Sequence, residues 1–116
     1  MRLAVIGSRN ITDENFVFNQ LDAVEFPIEC LISGGASGVD TIAEKWAKLN
    51  NIPVIVHLPN WSVYGRAAGV KRNKRIVEDC SVCLAFWDGV SKGTLSTIKL
   101  CEQLNKPVTV IRTDRI

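Results

Sequence analysis

The sequence predicts a three-layer α/β sandwich: a five-stranded parallel sheet with helices on both faces. Three observations carry this. Short runs of strand length are apolar throughout rather than alternating, as in strands covered on both faces. Segments with helical apolar spacing separate these runs one by one. Glycine, proline and asparagine fall at the junctions. The 116 residues, 47% hydrophobic and 22% charged, fit one domain over 1–116 with a modest core.

The elements follow in order. Leu3-Ala4-Val5-Ile6 is the first strand, too soon broken by Gly7 for a signal peptide. Phe16, Val17, Leu21 and Val24 space like a helix face, with Thr12 or Asp13 as N-cap. Leu31-Ile32 is the second strand. Val39, Ile42, Ala43, Trp46 and Ala47 line a helix over 39–49, which Asn50-Asn51 ends. Pro53-Val54-Ile55-Val56 is the third strand, and 58–66 reads as a loop holding Pro59, Trp61 and Gly65. A helix over 67–79, a strand over 82–87, a loop over 88–93 and a helix over 94–104 come next. Pro107-Val108-Thr109-Val110-Ile111 closes the sheet, and each crossover is expected to be right-handed. There is no internal repeat, low-complexity segment or linker.

Composition narrows the function classes. A net charge of +2 does not argue for bulk nucleic-acid or membrane binding. No apolar run approaches the ~18 residues of a membrane span, so a cytoplasmic protein is expected. The four cysteines, Cys30, Cys80, Cys83 and Cys101, read as small core residues. Cys80-Ser81-Val82-Cys83 has redox or zinc spacing, but it ends a helix and enters a strand, whereas a thioredoxin-type pair opens a helix. His57 is the single histidine, so a zinc set lacks ligands; His57 reads as structural, and neither metal nor cofactor is expected.

Ligands of open parallel sheets bind at the carboxyl ends of the strands. The loops there are Gly7-Ser8-Arg9-Asn10, Ser33-Gly34-Gly35-Ala36-Ser37-Gly38-Val39-Asp40, the Trp61 to Arg66 loop, and Trp87-Asp88-Gly89-Val90-Ser91-Lys92-Gly93-Thr94. The second is the most informative: an apolar run, a glycine-rich turn, then an amphipathic helix. Free N–H groups and the helix dipole at such a start favour an anion, which points to a phosphate-bearing ligand. The dinucleotide fingerprint is excluded, because its glycines follow the first strand and an acid ends the second. Ser91-Lys92-Gly93-Thr94 has the letters of an NTPase phosphate loop in the wrong order.

Three further features need weighing. With Val70 as a core position, Arg66 and Asn73 fall on its stripe at i−4 and i+3 and need a partner, a ligand or the neighbouring loop. Lys71, Lys74 and Arg75 fall outward, with Lys74–Glu78 and Arg75–Asp79 as i,i+4 pairs on a solvated face. Asp40 in the first helical turn satisfies the dipole by itself; it is a helix-start stabiliser, a ribose-hydroxyl acceptor or a general base. Trp61, Tyr64 and Trp87 lie on the same rim, where any of them can stack on a base, or Trp87 can cap the core; Trp46 belongs to a buried stripe.

Val5-Ile6-Gly7-Ser8-Arg9, Ser33 to Asp40 with Ala43-Glu44-Lys45-Trp46-Ala47, Trp61 with Tyr64-Gly65-Arg66-Ala67-Ala68-Gly69, Arg72-Asn73, and Phe86 to Thr94 together resemble the small YspA/YpsA-type proteins. These belong to the SLOG superfamily, named for the SMF/DprA and Lonely Guy proteins, and the resemblance covers nearly the whole chain. It implies a Rossmann-like fold, a pocket for a nucleotide or nucleotide-derived ligand, and a homo-oligomer. Lonely Guy enzymes cleave the base from a nucleoside monophosphate with an arginine and a glutamate. Their Pro-Gly-Gly-x-Gly-Thr-x-x-Glu motif aligns with residues 89–97: Gly93 and Thr94 match, while Thr97 stands at the glutamate and cannot act as a carboxylate. Arg72 matches the arginine. DprA-like proteins bind single-stranded DNA, but the charge here does not support a strand-tracking groove.

The expectation is therefore a ligand-binding protein. Gly34, Gly35, Gly38, Gly93 and the Thr94 backbone cradle phosphate, and Arg9, Arg66 and Arg72 neutralise it, with Gly7, Ser8 and Ser33 in the same ligand-binding set. Asn73 and Ser91 add hydrogen bonds, and Trp61 or Trp87 stacks on a base. The alternative is hydrolysis of an N-glycosidic bond with Asp40 or Asp88 as acid/base and Arg72 beside it. A nucleic-acid module using the 66–75 helix is a third class.

Overall fold

In the computed structural model, which describes residues 1–114, the chain runs β1 (Arg2–Gly7), α1 (Glu14–Asp22), β2 (Cys30–Ser33), α2 (Val39–Leu49), β3 (Val54–Val56), α3 (Trp61–Tyr64), a 3-10 turn (Gly65–Ala67), α4 (Ala68–Asp79), β4 (Val82–Trp87), α5 (Lys92–Gln103) and β5 (Val108–Arg112). The strands form one sheet in the order β3-β2-β1-β4-β5. Every neighbouring pair is parallel, with Leu3 beside Leu31 and Val82, and Cys83 beside Val108. This is a Rossmann-like α/β fold.

Alternation along the strands builds two cores. Leu3, Val5, Leu31, Leu84 and Phe86 point to one face and pack with Val17 and Leu21 of α1 and Val39, Ala43, Trp46 and Ala47 of α2. Ala4, Ile6, Cys30, Ile32, Cys83 and Ala85 point to the other and pack with Ile76 and Val77 of α4 and Ile98 and Cys101 of α5. Continuous apolar strands are thus read from both sides at once. The edges differ: Val56 on β3 and Thr109 and Val110 on β5 are exposed, so the two edge strands are not covered on both faces as their sequence suggests.

The helix ends follow their capping chemistry. Asp13 rather than Thr12 caps α1, its carboxylate accepting from the Phe16 N–H at 3.1 Å. Asn51 and Asn105 take φ of 56°, just beyond α2 and α5, the left-handed turn that asparagine tolerates at a helix end. Ser91 caps α5 through the Thr94 N–H, so that helix starts at Lys92, two residues before its sequence expectation. Within 58–66, read as a loop, the Asn60 side-chain Oδ1 accepts from the Val63 N–H and starts α3.

Two side-chain expectations on α4 are corrected. Val70 is 64% exposed; the inward stripe is Ala68, Ile76 and Val77, with Arg72 and Asn73 partly buried between them. Arg66 is exposed and does not share it. Asp79 pairs not with Arg75 but with Arg2 and with His57 Nε2, the latter at 2.9 Å. The His57 hydrogen bond, then Arg2, holds the Asp79 carboxyl below its ordinary range. His57 thereby ties the end of β3 to the end of α4. All four cysteines are free and buried, and burial raises the Cys80 thiol to about 11.

Candidate functional site

A cavity of about 440 Å³ opens at the carboxyl edge of the sheet where β1 and β4 lie side by side. The chain turns one way after β1, to β2, and the other way after β4, to β5, so this seam is the topological switch point. Its volume is in the range of small-molecule sites.

Four segments build the walls. Gly7, Ser8, Arg9 and Asn10 come from the end of β1, and Ala36 and Asp40 from the β2–α2 turn. Arg72, Asn73 and Ile76 come from α4, and Asp88, Ser91, Gly93, Thr94 and Thr97 from β4–α5. Of the residues singled out in the sequence, Gly7, Ser8, Arg9, Asp40, Arg72, Asn73, Asp88, Ser91, Gly93 and Thr94 therefore meet at one place. Ser33, Gly34, Gly35, Gly38, Trp61, Arg66 and Trp87 are not on this wall. Asn10, Ala36, Ile6 and Ile76 line it without having been singled out. Asn10 and Ala36 sit inside the motifs already noted, whereas two apolar floor residues give no signal beyond the core.

The glycine-rich turn is occupied largely by the protein itself. Gly38, with φ 76°, would carry a Cβ 2.4 Å from the Arg9 carbonyl oxygen. Gly7 would bring one 2.6 Å from Val39 Cγ2. Both glycines let the β1 loop lie against the start of α2. Ser33 Oγ donates to Glu44 Oε2 at 2.7 Å and accepts from the Gly35 N–H at 3.3 Å. The Ala36 N–H goes to Asp40 Oδ2 at 3.1 Å. Gly38, the N-cap of α2, has no side-chain cap bond to offer, so the first N–H groups of the helix carry no side-chain acceptor there.

Gly34 is the hinge of the electrostatics. A Cβ there would meet Arg72 Nη1 at 2.8 Å and Asp40 Oδ2 at 3.0 Å. Its carbonyl accepts from Arg72 Nη1 at 2.5 Å, and Arg72 Nε donates to Asn73 Oδ1 at 2.8 Å. Burial lowers the Arg72 pKa, opposed by the charge of Asp40. Asp40 is 7% exposed. Burial pushes its carboxyl up to about 6, against the pull of the Ala36 N–H and of Arg72. A buried carboxyl with a raised pKa and a desolvated guanidinium thus flank one glycine.

The opposite wall is an ordered loop. Asp88 Oδ1 accepts from the N–H groups of Val90 at 2.9 Å and Ser91 at 2.7 Å, which hold its carboxyl low. The Asp88 N–H reaches Ser8 Oγ at 3.4 Å, linking β4 to β1 across the seam. Gly93 is different: a Cβ there meets nothing within 4 Å. Thr97 Oγ1 donates to the Gly93 carbonyl at 3.0 Å. Trp87 Nε1 donates to the Ser91 carbonyl at 3.0 Å, and Arg112 lies 4.7 Å from its ring centre, so this indole braces the loop. Trp61 and Arg66 lie exposed on and just after α3. Among the described residues no group of three or more His, Cys, Asp or Glu is placed to hold a metal ion, and no helix is long and apolar enough to cross a membrane.

Comparisons with known proteins give the family and the fold. The model of the YspA, cpYpsA-related SLOG family matches residues 1–64. Gene 61 protein of Mycobacterium phage D29 is 33% identical, over 92% of this chain and 93% of that protein. The crystal structure of DNA processing protein A from Streptococcus pneumoniae superposes with a TM-score of 0.78 at 20% identity, over 94% of this chain. The match spans 49% of that structure's chain, and at this identity it speaks to the fold.

Proposed function

Because the chain belongs to the YspA, cpYpsA-related SLOG family, we propose that it binds a nucleotide or nucleotide-derived ligand in the cavity between β1 and β4. Arg72 carries this reading. Its guanidinium is fixed by Gly34 and Asn73 through Nη1 and Nε, Nη2 has no hydrogen bond among the described residues, and Arg72 lines the cavity. A cation so positioned and partly stripped of water is suited to a phosphate oxygen. Arg9 adds a second positive charge close enough to depress the Arg72 pKa. The uncapped start of α2 and the open Gly93 supply N–H groups and room. A panel of nucleoside monophosphates, cyclic nucleotides and ADP-ribose, read by melting temperature, tests it. At least one is expected to raise the melting temperature of the wild type and not of Arg72→Ala. If none does, and Arg72→Ala changes nothing, the phosphate pocket is wrong.

A second reading, hydrolysis of an N-glycosidic bond, rests on Asp40. A buried carboxyl that titrates near 6 on a cavity wall can give a proton to a departing base. Thr97 does not fill the glutamate's place, since its hydroxyl is spent on Gly93. Asp88 is committed to two backbone N–H groups. Chromatography of the same mixtures separates the readings: free base, lost in Asp40→Asn, supports turnover, and intact ligand supports binding alone.

A further inference from the structure

Trp61 is 55% exposed, although indoles usually bury most of their surface. It is held on α3 by the Asn60 cap, whose Oδ1 also accepts from Ser62 Oγ at 2.8 Å. The edge of the ring stands over Gly69: a Cβ there would meet Trp61 Cη2 at 3.9 Å. Gly69 lies three residues before Arg72 and four before Asn73, so all three share one face of α4. Along the axis, Gly69 and Asn73 are about 6 Å apart. Because Gly69 has no side chain, nothing projects from that position between the indole and the guanidinium. The other two rim aromatics are engaged. Arg112 covers Trp87, and the Lys71 ammonium sits 4.9 Å from the centre of the Tyr64 ring. Arg66, exposed in the 3-10 turn that follows α3, makes no ion pair among the described residues.

We propose that Trp61 is a second, ring-binding subsite continuous with the cavity, and that the ligand is a dinucleotide whose phosphate sits at Arg72 and whose outer base stacks on the indole. The proposal rests on the nucleotide reading above and adds the ligand's length to it. A mononucleotide fills the cavity and leaves Trp61 bare. A dinucleotide reaches one helical turn further and covers it, with Arg66 placed to meet a further phosphate oxygen.

The test compares AMP, the 5′-phosphorylated diadenylate pApA and the octamer pA8 by tryptophan fluorescence and melting temperature. Trp46 is buried and Trp87 half-buried, so quenching of the exposed Trp61 is the direct readout. Wild type is expected to bind pApA about tenfold more tightly than AMP, the order of one base–aromatic stack. Trp61→Ala is expected to lose that gain and keep AMP binding, and Trp61→Phe to keep most of the gain. Equal affinity for AMP and pApA, indifferent to Trp61→Ala, overturns the subsite. The nucleotide reading then still stands if AMP binding is lost in Arg72→Ala. Affinity that climbs again from pApA to pA8 indicates strand binding and overturns the dinucleotide. If no probe binds, the nucleotide reading fails and the subsite falls with it.

Discussion

The glycines of the β2–α2 turn and the glycine in the first turn of α5 serve different purposes. In the β2–α2 turn, Gly34, Gly35 and Gly38 are each pressed by the protein: by Arg72 and Asp40, by Leu58 and Val56, and by the Arg9 backbone. In the first turn of α5, Gly93 faces open space on the cavity wall, whereas Gly89, in the β4–α5 turn with φ 83°, is pressed by Asp114 and Arg112. The β2–α2 turn, and Gly89 likewise, use absent side chains to bring protein segments together. The start of α5 leaves a vacancy at Gly93 that the protein does not fill. A glycine-rich motif is therefore not by itself a measure of ligand contact; what occupies the missing Cβ decides.

Substitutions can break this contrast. Gly38→Ala has the largest expected effect. It combines a positive φ with a contact of 2.4 Å to backbone that cannot step aside. The expected loss is at least about 3 kcal/mol, read by urea unfolding. A variant as stable as wild type would show that Gly38 is no more pressed than Gly93.

Asp40→Asn comes next and depends on pH. The folded state raises this carboxyl from 3.8 to about 6, so the native protein holds a proton that the unfolded chain has released. The stabilising contribution is present below about 3.8 and is lost as pH rises through about 6. Asparagine removes that dependence and keeps an acceptor for the Ala36 N–H. The stability of Asp40→Asn relative to wild type should therefore rise between pH 4 and pH 7, by roughly 2–3 kcal/mol. Parallel stability profiles for the two proteins across that range would contradict the buried-acid description.

Arg72→Ala should weaken phosphate-bearing ligands by roughly ten- to a hundredfold, the order of a charged hydrogen bond. Isothermal titration measures it. Gly93→Ala is the smallest in stability: a methyl in open space on a helix should be neutral or add up to about 1 kcal/mol. The same methyl intrudes on the cavity, so affinity should fall several-fold while the melting temperature holds. Loss of both together would mean that Gly93 is packed like the glycines of the β2–α2 turn.

The fold was legible because each strand carries a continuous apolar run and each long helix a periodic one. What escaped was set by tertiary packing. Val70 fits a helical stripe in sequence, yet α4 is rotated so that Ala68, Ile76 and Val77 face the sheet. Residues 58–66 lack helical periodicity, so the one-turn α3 depended on a cap that only the folded backbone reveals. The cavity was legible in its loops, since strand ends in a parallel sheet must converge there. Its division of labour was not. That Trp87 braces a loop while Trp61 stands free depends on Arg112 and Gly69, distant in sequence from one and adjacent only in space to the other.

The strand order also has a consequence in time. β1 pairs with β2 early in the chain, but its other neighbour, β4, begins only at Val82. Such distant pairing makes closure of the sheet a slow step, because a long loop must be ordered before the contact repays it. The cavity lies on that seam, so it does not exist until the two halves of the molecule have met. A ligand bound there touches both halves and draws the population toward the closed sheet by mass action. Occupancy of the site would then govern how long the chain survives against proteolysis as well as what it recognises.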